Sequence, residues 1–166
     1  MSMQIIPLLL KEMDQEAQTT RKMLSRVPVD KYDWKPHAKN MTLKQLVTHI
    51  GELPGWVSMA LNTTELDFAI SPYTQVPIEN NEELMGYFER TLANGKAELE
   101  KANEQQLEEM WTLRNGDQIY VTCTKYEMIR TSYAQIIHHR AQLGMYLRLL
   151  DVAIPGSYGP SADESF

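Results

Sequence analysis

The sequence has a single cysteine, Cys123, among 166 residues, so no disulfide can form within the chain. A reduced, cytoplasmic setting accords with that usage. No block of Lys or Arg occurs, and the net charge is −6. This excludes a sequence-independent nucleic-acid binder, which needs a concentrated basic surface. No apolar stretch approaches the roughly 20 residues needed to cross a bilayer, so no membrane span is expected. The short apolar run Ile5-Ile6-Pro7-Leu8-Leu9-Leu10 lacks a basic flank and a small-residue cleavage pattern, and it is not read as a signal peptide. Internal repeats and low-complexity segments are also missing. What remains is 43% hydrophobic and 23% charged, an ordinary globular composition, and it is read as one domain over residues 1–166.

The apolar residues recur at bundle spacing. From about Met3 to Val27, Ile6, Met13, Thr20 and Val27 form one row, and Leu10, Ala17 and Leu24 form the interleaved one. Pro7 fits the first turn and Pro28 closes the helix. Thr42-Leu43-Lys44-Gln45 has the pattern of a capping box, opening a second helix with Leu43, Leu46, Val47, Ile50 and Leu53 on one face. Pro54, flanked by Gly51 and Gly55, predicts a kink just past His49, with Trp56 and Met59 continuing toward Leu61. Residues 62–79 show no period and read as a long crossover loop. Asn80 and Glu83 cap a third helix carrying Leu84, Phe88, Leu92, Gly95 and Leu99, to about Ala102.

Residues 109–123 change period. Trp111, Leu113, Ile119, Val121 and Cys123 alternate around Asn115-Gly116, which predicts a small β-hairpin. The last helix, from about Thr124 to Leu150, carries Ile129, Ile136, Leu143 and Leu150 in one row and Ser132, His139 and Tyr146 in another. The tail beyond it is punctuated by Gly and Pro. The predicted fold is therefore mainly all-α: a four-helix bundle with long connections and a small hairpin before the last helix. The periodicity fits an up-down-down-up order and a simple up-and-down order equally.

Chemistry concentrates on histidine. His37 lies in a polar connection and reads as solvated. His138 and His139 point about 100° apart on a helix, and the Ile and Leu rows turn His139 inward. His49 borders the apolar face of the second helix, so His49 and His139 are candidates for a shared internal site. Two imidazoles from different helices can hold a divalent metal if a third ligand joins them. Gln135, one turn before His139, is placed to be that ligand, although a neutral amide oxygen is a poorer donor than imidazole, thiolate or carboxylate. Gln142, three residues after His139, is placed to orient an imidazole. The competing reading is that both histidines are hydrogen-bonded core residues. No serine has identifiable triad partners. Cys123 reads as buried and inert, and Glu82-Glu83 and Glu108-Glu109 read as solvated. Arg140 reads as an outer salt bridge or dimer contact, with a place at a polar substrate mouth as the alternative.

Three stretches, in order along the chain, carry a family resemblance. They are Asp33-Trp34-Lys35-Pro36-His37 with Met41-Thr42-Leu43-Lys44-Gln45-Leu46-Val47-Thr48-His49; His138-His139-Arg140-Ala141-Gln142-Leu143 with Tyr146-Leu147-Arg148; and Ile154-Pro155-Gly156-Ser157-Tyr158-Gly159-Pro160-Ser161. Together they resemble the DinB/YfiT-like family of bacterial metal-dependent enzymes. The resemblance implies a homodimeric four-helix bundle holding zinc or nickel on three histidines, one from the second helix and two from an H-x-x-x-H pair on the last. His49 matches the first position and His139 the last, while Gln135 stands where the middle His is expected. Family members with assigned activity are thiol-dependent transferases or isomerases. This implies a thiol-dependent transferase or hydrolase acting on a small molecule, with a low-molecular-weight thiol as co-substrate. The alternative is a non-catalytic dimeric or ligand-binding bundle with a degenerate metal site.

Overall fold

The structure, a computed structural model, describes residues 4–165. Four long helical segments form the bundle. They are α1 (Ile5–Leu24), the bent pair α2 (Leu43–Glu52) and α3 (Gly55–Asn62), α4 (Asn81–Lys101) and α6 (Lys125–Leu149). A short helix, α5 (Glu104–Leu107), follows α4. The start expected at Met3 lies outside the described residues. At its other end α1 stops at Leu24, yet Val27 still packs inward, 3% exposed, because the chain turns there through a hydrogen bond from Val27 N–H to the Leu24 carbonyl. Most positions of the predicted rows are buried, while Ile6, Leu10 and Leu150 are half-buried. Met13, Ala17, Thr20 and Leu24 on α1 and Ile129, Ser132, Ile136, His139, Leu143 and Tyr146 on α6 all face the interior.

The packing follows a ring. α1 rests mainly on α4 and α6, and α2–α3 rests on the same two helices from the opposite side. α1 and α2 are thus diagonal, as are α4 and α6, and the connections between them must cross the bundle end. That is why they are long. The predicted capping box forms, and a second, not predicted, starts α6. Thr42 Oγ1 accepts from Gln45 N–H and Gln45 Oε1 accepts from Thr42 N–H; Thr124 and Glu127 do the same for α6. Asn80 caps α4 through Glu83 N–H.

The expected kink is a full break between α2 and α3. Pro54 has no N–H for the Ile50 carbonyl. The carbonyls around the break find side-chain donors instead: Ser132 Oγ donates to the Leu53 carbonyl at 2.7 Å and Thr91 Oγ1 to the Gly51 carbonyl at 2.6 Å. Gly95 of α4 lies against the same break. A Cβ there would stand 2.3 Å from the Pro54 carbonyl oxygen, so only glycine allows this approach.

Two expectations need correction. Residues 62–79 are not all loop: β1 (Glu65–Asp67) pairs in parallel with β2 (Met110–Asn115), which pairs antiparallel with β3 (Gln118–Thr124). The predicted hairpin is thus two strands of a three-stranded sheet. A three-residue strand is too short to show a period of two. It is held by Asp67, whose carboxylate accepts from Gly116 N–H and Ala69 N–H, both at 2.9 Å. Gly116 adopts a positive φ of +59°, but Asn115 ends β2 paired with Gln118, so the turn is made by Gly116 and Asp117 rather than by Asn115 and Gly116. An irregularity between Leu113 and Arg114 shifts the register, and the alternation holds only in part. Trp111 is fully buried, whereas Ile119 and Val121 are exposed.

Arg140 is the second correction. It is not on the outer side but 2% exposed, paired at 2.6 Å with the Glu16 carboxylate of α1. The Tyr158 hydroxyl of the tail closes over both groups, accepting from Arg140 and donating to Glu16 at 2.8 Å each. Sequence periodicity places a charged residue outward by default; here a charge on the facing helix reverses the preference.

Candidate functional site

α2 and α6 pack side by side, each started by a capping box, and their histidines meet where the two helices touch. The imidazole rings of His49 and His139 lie 4.6 Å apart, centre to centre, at an interplanar angle of 77°. His139 is buried and His49 half-buried.

Each ring is fixed by an acceptor three residues onward on its own helix. His49 Nδ1 is 2.5 Å from Glu52 Oε1, and His139 Nδ1 is 2.8 Å from Gln142 Oε1. A carboxylate and an amide oxygen can only accept, so both Nδ1 atoms carry the proton in the neutral rings. Neither Nε2 has a protein partner among the described residues, which leaves two lone pairs unused on adjacent rings. This is the state in which imidazole binds a metal. Gln142 Nε2 also bridges to His138 Nε2 at 3.1 Å, while His138 itself is exposed. Burial holds the His139 pKa below the ordinary histidine value; the hydrogen bond to Gln142 opposes this, and the neighbouring His49 and His138 add to it. His139 is therefore biased toward its neutral, ligand-competent form.

Glu52 is a junction. It is 9% exposed, accepts from His49, and takes the Tyr73 hydroxyl at 3.1 Å to each carboxylate oxygen. Tyr73 comes from the β1–α4 connection, which is tied to α2 a second time where Gln75 Nε2 donates to the Gln45 carbonyl at 2.7 Å. Burial, reinforced by the Glu52 charge, raises the pKa of the Tyr73 phenol, which stays protonated and a donor. Trp56, delivered by the break at Pro54, packs edge-on against His49 with ring centres 5.8 Å apart.

A pocket of about 400 Å³ opens onto His49, with Met41, Gln45, Trp56, Phe68, Tyr73 and Gln75 as its other walls. A second, of about 380 Å³, shares Trp56, Phe68 and Tyr73 with it and reaches Glu52 and Tyr87. Pockets of this size suit a small molecule.

Of the residues singled out by sequence, His49 and His139 come together, and Gln142 orients His139 as expected. Gln135 lies one turn before His139 on α6, half-buried, with its amide unbonded to any described residue. His37 is exposed in its connection, as expected. Cys123 is half-buried, with burial raising its thiol pKa, and it lies on β3 away from the histidines. Glu109 is not merely solvated: it pairs at 2.8 Å with the buried Lys125. Glu52, Trp56 and Tyr73 were not singled out. The His49–Glu52 spacing carried a signal, being the same three-residue step that identified Gln142. Tyr73 sits in an aperiodic connection and carried none. Among the described residues no three His, Cys, Asp or Glu side chains converge as a metal-ligand set. Any metal here would thus rest on two imidazoles and a donor of another kind.

No helix among the described residues is long and apolar enough to cross a membrane. No curated protein matches the sequence. Among solved structures, a DinB-like protein from Bacillus subtilis is similar at a TM-score of 0.68 with 19% identity, covering 90% of this chain and 96% of that one. Another from Bacillus cereus gives 0.67 and 17%, covering 89% and 94%. A mycothiol-dependent maleylpyruvate isomerase gives 0.58 and 13%, covering 84% of this chain and 60% of that protein. At these identities the likeness is one of fold. The DinB family model matches residues 1–165, and the chain belongs to the DinB family.

Proposed function

We propose that this protein is a metal-dependent enzyme that uses a low-molecular-weight thiol to modify a small molecule, with His49, His139 and Gln135 as the metal donors. The observation that carries the reading is the matched anchoring of the two rings: Glu52 and Gln142 take both Nδ1 protons and leave both Nε2 lone pairs unused. Neither Nε2 is sealed away from solvent, so both lone pairs are accessible to an ion. The donor set fits zinc or nickel, both of which accept imidazole nitrogen, with the Gln135 amide oxygen as a weaker third donor. Such an ion supplies the positive charge that keeps a thiol ionised near neutral pH.

The chain's own residues do the rest. Glu52 and Gln142 fix the tautomers and ring orientations. Burial keeps His139 neutral. Trp56, Phe68 and Tyr73 wall the approach to His49 with apolar surface and limit water there. The fold shared with a mycothiol-dependent maleylpyruvate isomerase supports thiol chemistry over direct hydrolysis as the activity of this pocket.

The test is spectroscopic. Protein loaded with Co²⁺ and titrated with a small thiol is expected to develop a thiolate-to-metal charge-transfer band, which His49→Ala and His139→Ala each abolish. Co²⁺ d–d bands that do not respond to thiol would refute the thiol role.

A further inference from the structure

Neither of the two adjoining pockets has a Lys or Arg on its wall. The first is lined by Met41, Gln45, His49, Trp56, Phe68, Tyr73 and Gln75, and the second places Glu52 among Trp56, Phe68, Tyr73 and Tyr87. A site for an anionic substrate would need a cation or a set of backbone donors to replace lost hydration. These walls offer the opposite: aromatic faces and one carboxylate.

The carboxylate is unusual in its partners. Glu52 is 9% exposed, and no Lys or Arg among the described residues lies within ion-pairing distance of it. Its hydrogen bonds come from His49 Nδ1 and the Tyr73 hydroxyl. No described Lys or Arg therefore stands against the Glu52 carboxylate, which is held by hydrogen bonds from an imidazole and a phenol. A cation does stand near the outer rim: the exposed Arg90 lies 6.0 Å from the centre of the Tyr87 ring. It does not line either pocket and does not pair with Glu52. A buried carboxylate beside Trp, Tyr and Phe rings is the combination that receives an organic ammonium, by charge and by cation–π attraction.

We propose that the paired pockets bind a small organic cation with an apolar body, its ammonium held by Glu52 and the rings of Trp56, Phe68 and Tyr73. This deepens the functional reading above by naming the substrate class of the same site, and it rests on that reading only for the reaction, not for the binding.

An isosteric charge series decides the matter: benzylamine, benzyl alcohol and benzoate, titrated calorimetrically into EDTA-treated protein and again into Zn²⁺-loaded protein. In the metal-free protein the amine is expected to bind at least about ten-fold more tightly than the alcohol, a difference of about 1.4 kcal/mol, with no saturable binding of benzoate. Glu52→Gln should reduce the amine's advantage to less than about three-fold while the alcohol's affinity is retained, which also shows that the pocket is intact. Equal binding of amine and alcohol, preference for benzoate, no binding by any of the three, or an unchanged advantage in Glu52→Gln would each overturn the proposal. The wild-type series stands without the variant. Charge selectivity in a protein that retains no metal would leave this inference standing and sink the metal reading. Metal retention without selectivity would do the reverse.

Discussion

Replacing Glu16 with Gln tests how the bundle tolerates a charge in its interior. Arg140 is 2% exposed, and four acceptors converge on it: the Glu16 carboxylate at 2.6 Å, the Glu16 carbonyl at 3.2 Å, the Thr20 hydroxyl at 3.1 Å and the Tyr158 hydroxyl at 2.8 Å. Glu16→Gln keeps the volume and one oxygen acceptor but removes the counter-charge. Removing one partner of a buried ion pair costs about 3–5 kcal/mol, because the remaining charge is desolvated and uncompensated. The retained hydrogen-bond acceptor argues for the lower end, about 3 kcal/mol. At about 2–4 °C per kcal/mol for a chain of this length, Tm should fall by about 6–12 °C. The assay is urea and thermal denaturation at neutral pH, run beside the double variant Glu16→Leu/Arg140→Met. Removing both charges should restore most of the loss, since an apolar replacement of a buried pair is often neutral or stabilising. A Glu16→Gln protein within about 1 kcal/mol of wild type would refute the reasoning, because that is the cost of an ordinary exposed contact. So would a double variant as unstable as the two single variants summed.

Gly95→Ala should destabilise by about 1–3 kcal/mol in urea denaturation despite the better helix propensity of Ala, because its Cβ meets the Pro54 carbonyl; a stabilised variant would show that α4 does not approach the break so closely. Stability of the metal-free protein should fall as pH drops below the unfolded histidine pKa of about 6.5. The sign follows from linkage: His139 has a depressed folded pKa, so between that value and the unfolded one the unfolded chain binds more protons. The stabilisation is present above the unfolded pKa and is lost as pH falls through the folded one. The urea midpoint of His139→Gln should lack this component, and an identical pH slope in that variant would contradict it.

The helices and their facing sides were legible because burial repeats along α1, α4 and α6 at the helical period, and the caps at Thr42 and Asn80 mark the starts of α2 and α4 with side chains that act locally. The meeting of His49 and His139 was legible for the same reason: each sits on an otherwise apolar face. β1 was not legible, because its three residues gain their pairing from β2, over 40 positions away, and carry no period of their own. Arg140 was misplaced because its position is decided by Glu16, 124 residues earlier in the chain. Tyr73 escaped notice for a related reason. It matters only because the β1–α4 connection folds back onto Glu52, a contact between an aperiodic segment and a helix.

Metal retention by the wild-type protein and by Gln135→His tests the central claim most directly. Protein purified without an affinity tag is loaded with Zn²⁺ or Ni²⁺, desalted, and its metal content and affinity measured. The account predicts close to one equivalent in the wild type, lost in His49→Ala and in His139→Ala, and tighter binding in Gln135→His, where a third imidazole replaces the amide. Less than about a tenth of an equivalent in the wild type, together with unchanged affinity in a well-folded Gln135→His protein, would contradict it.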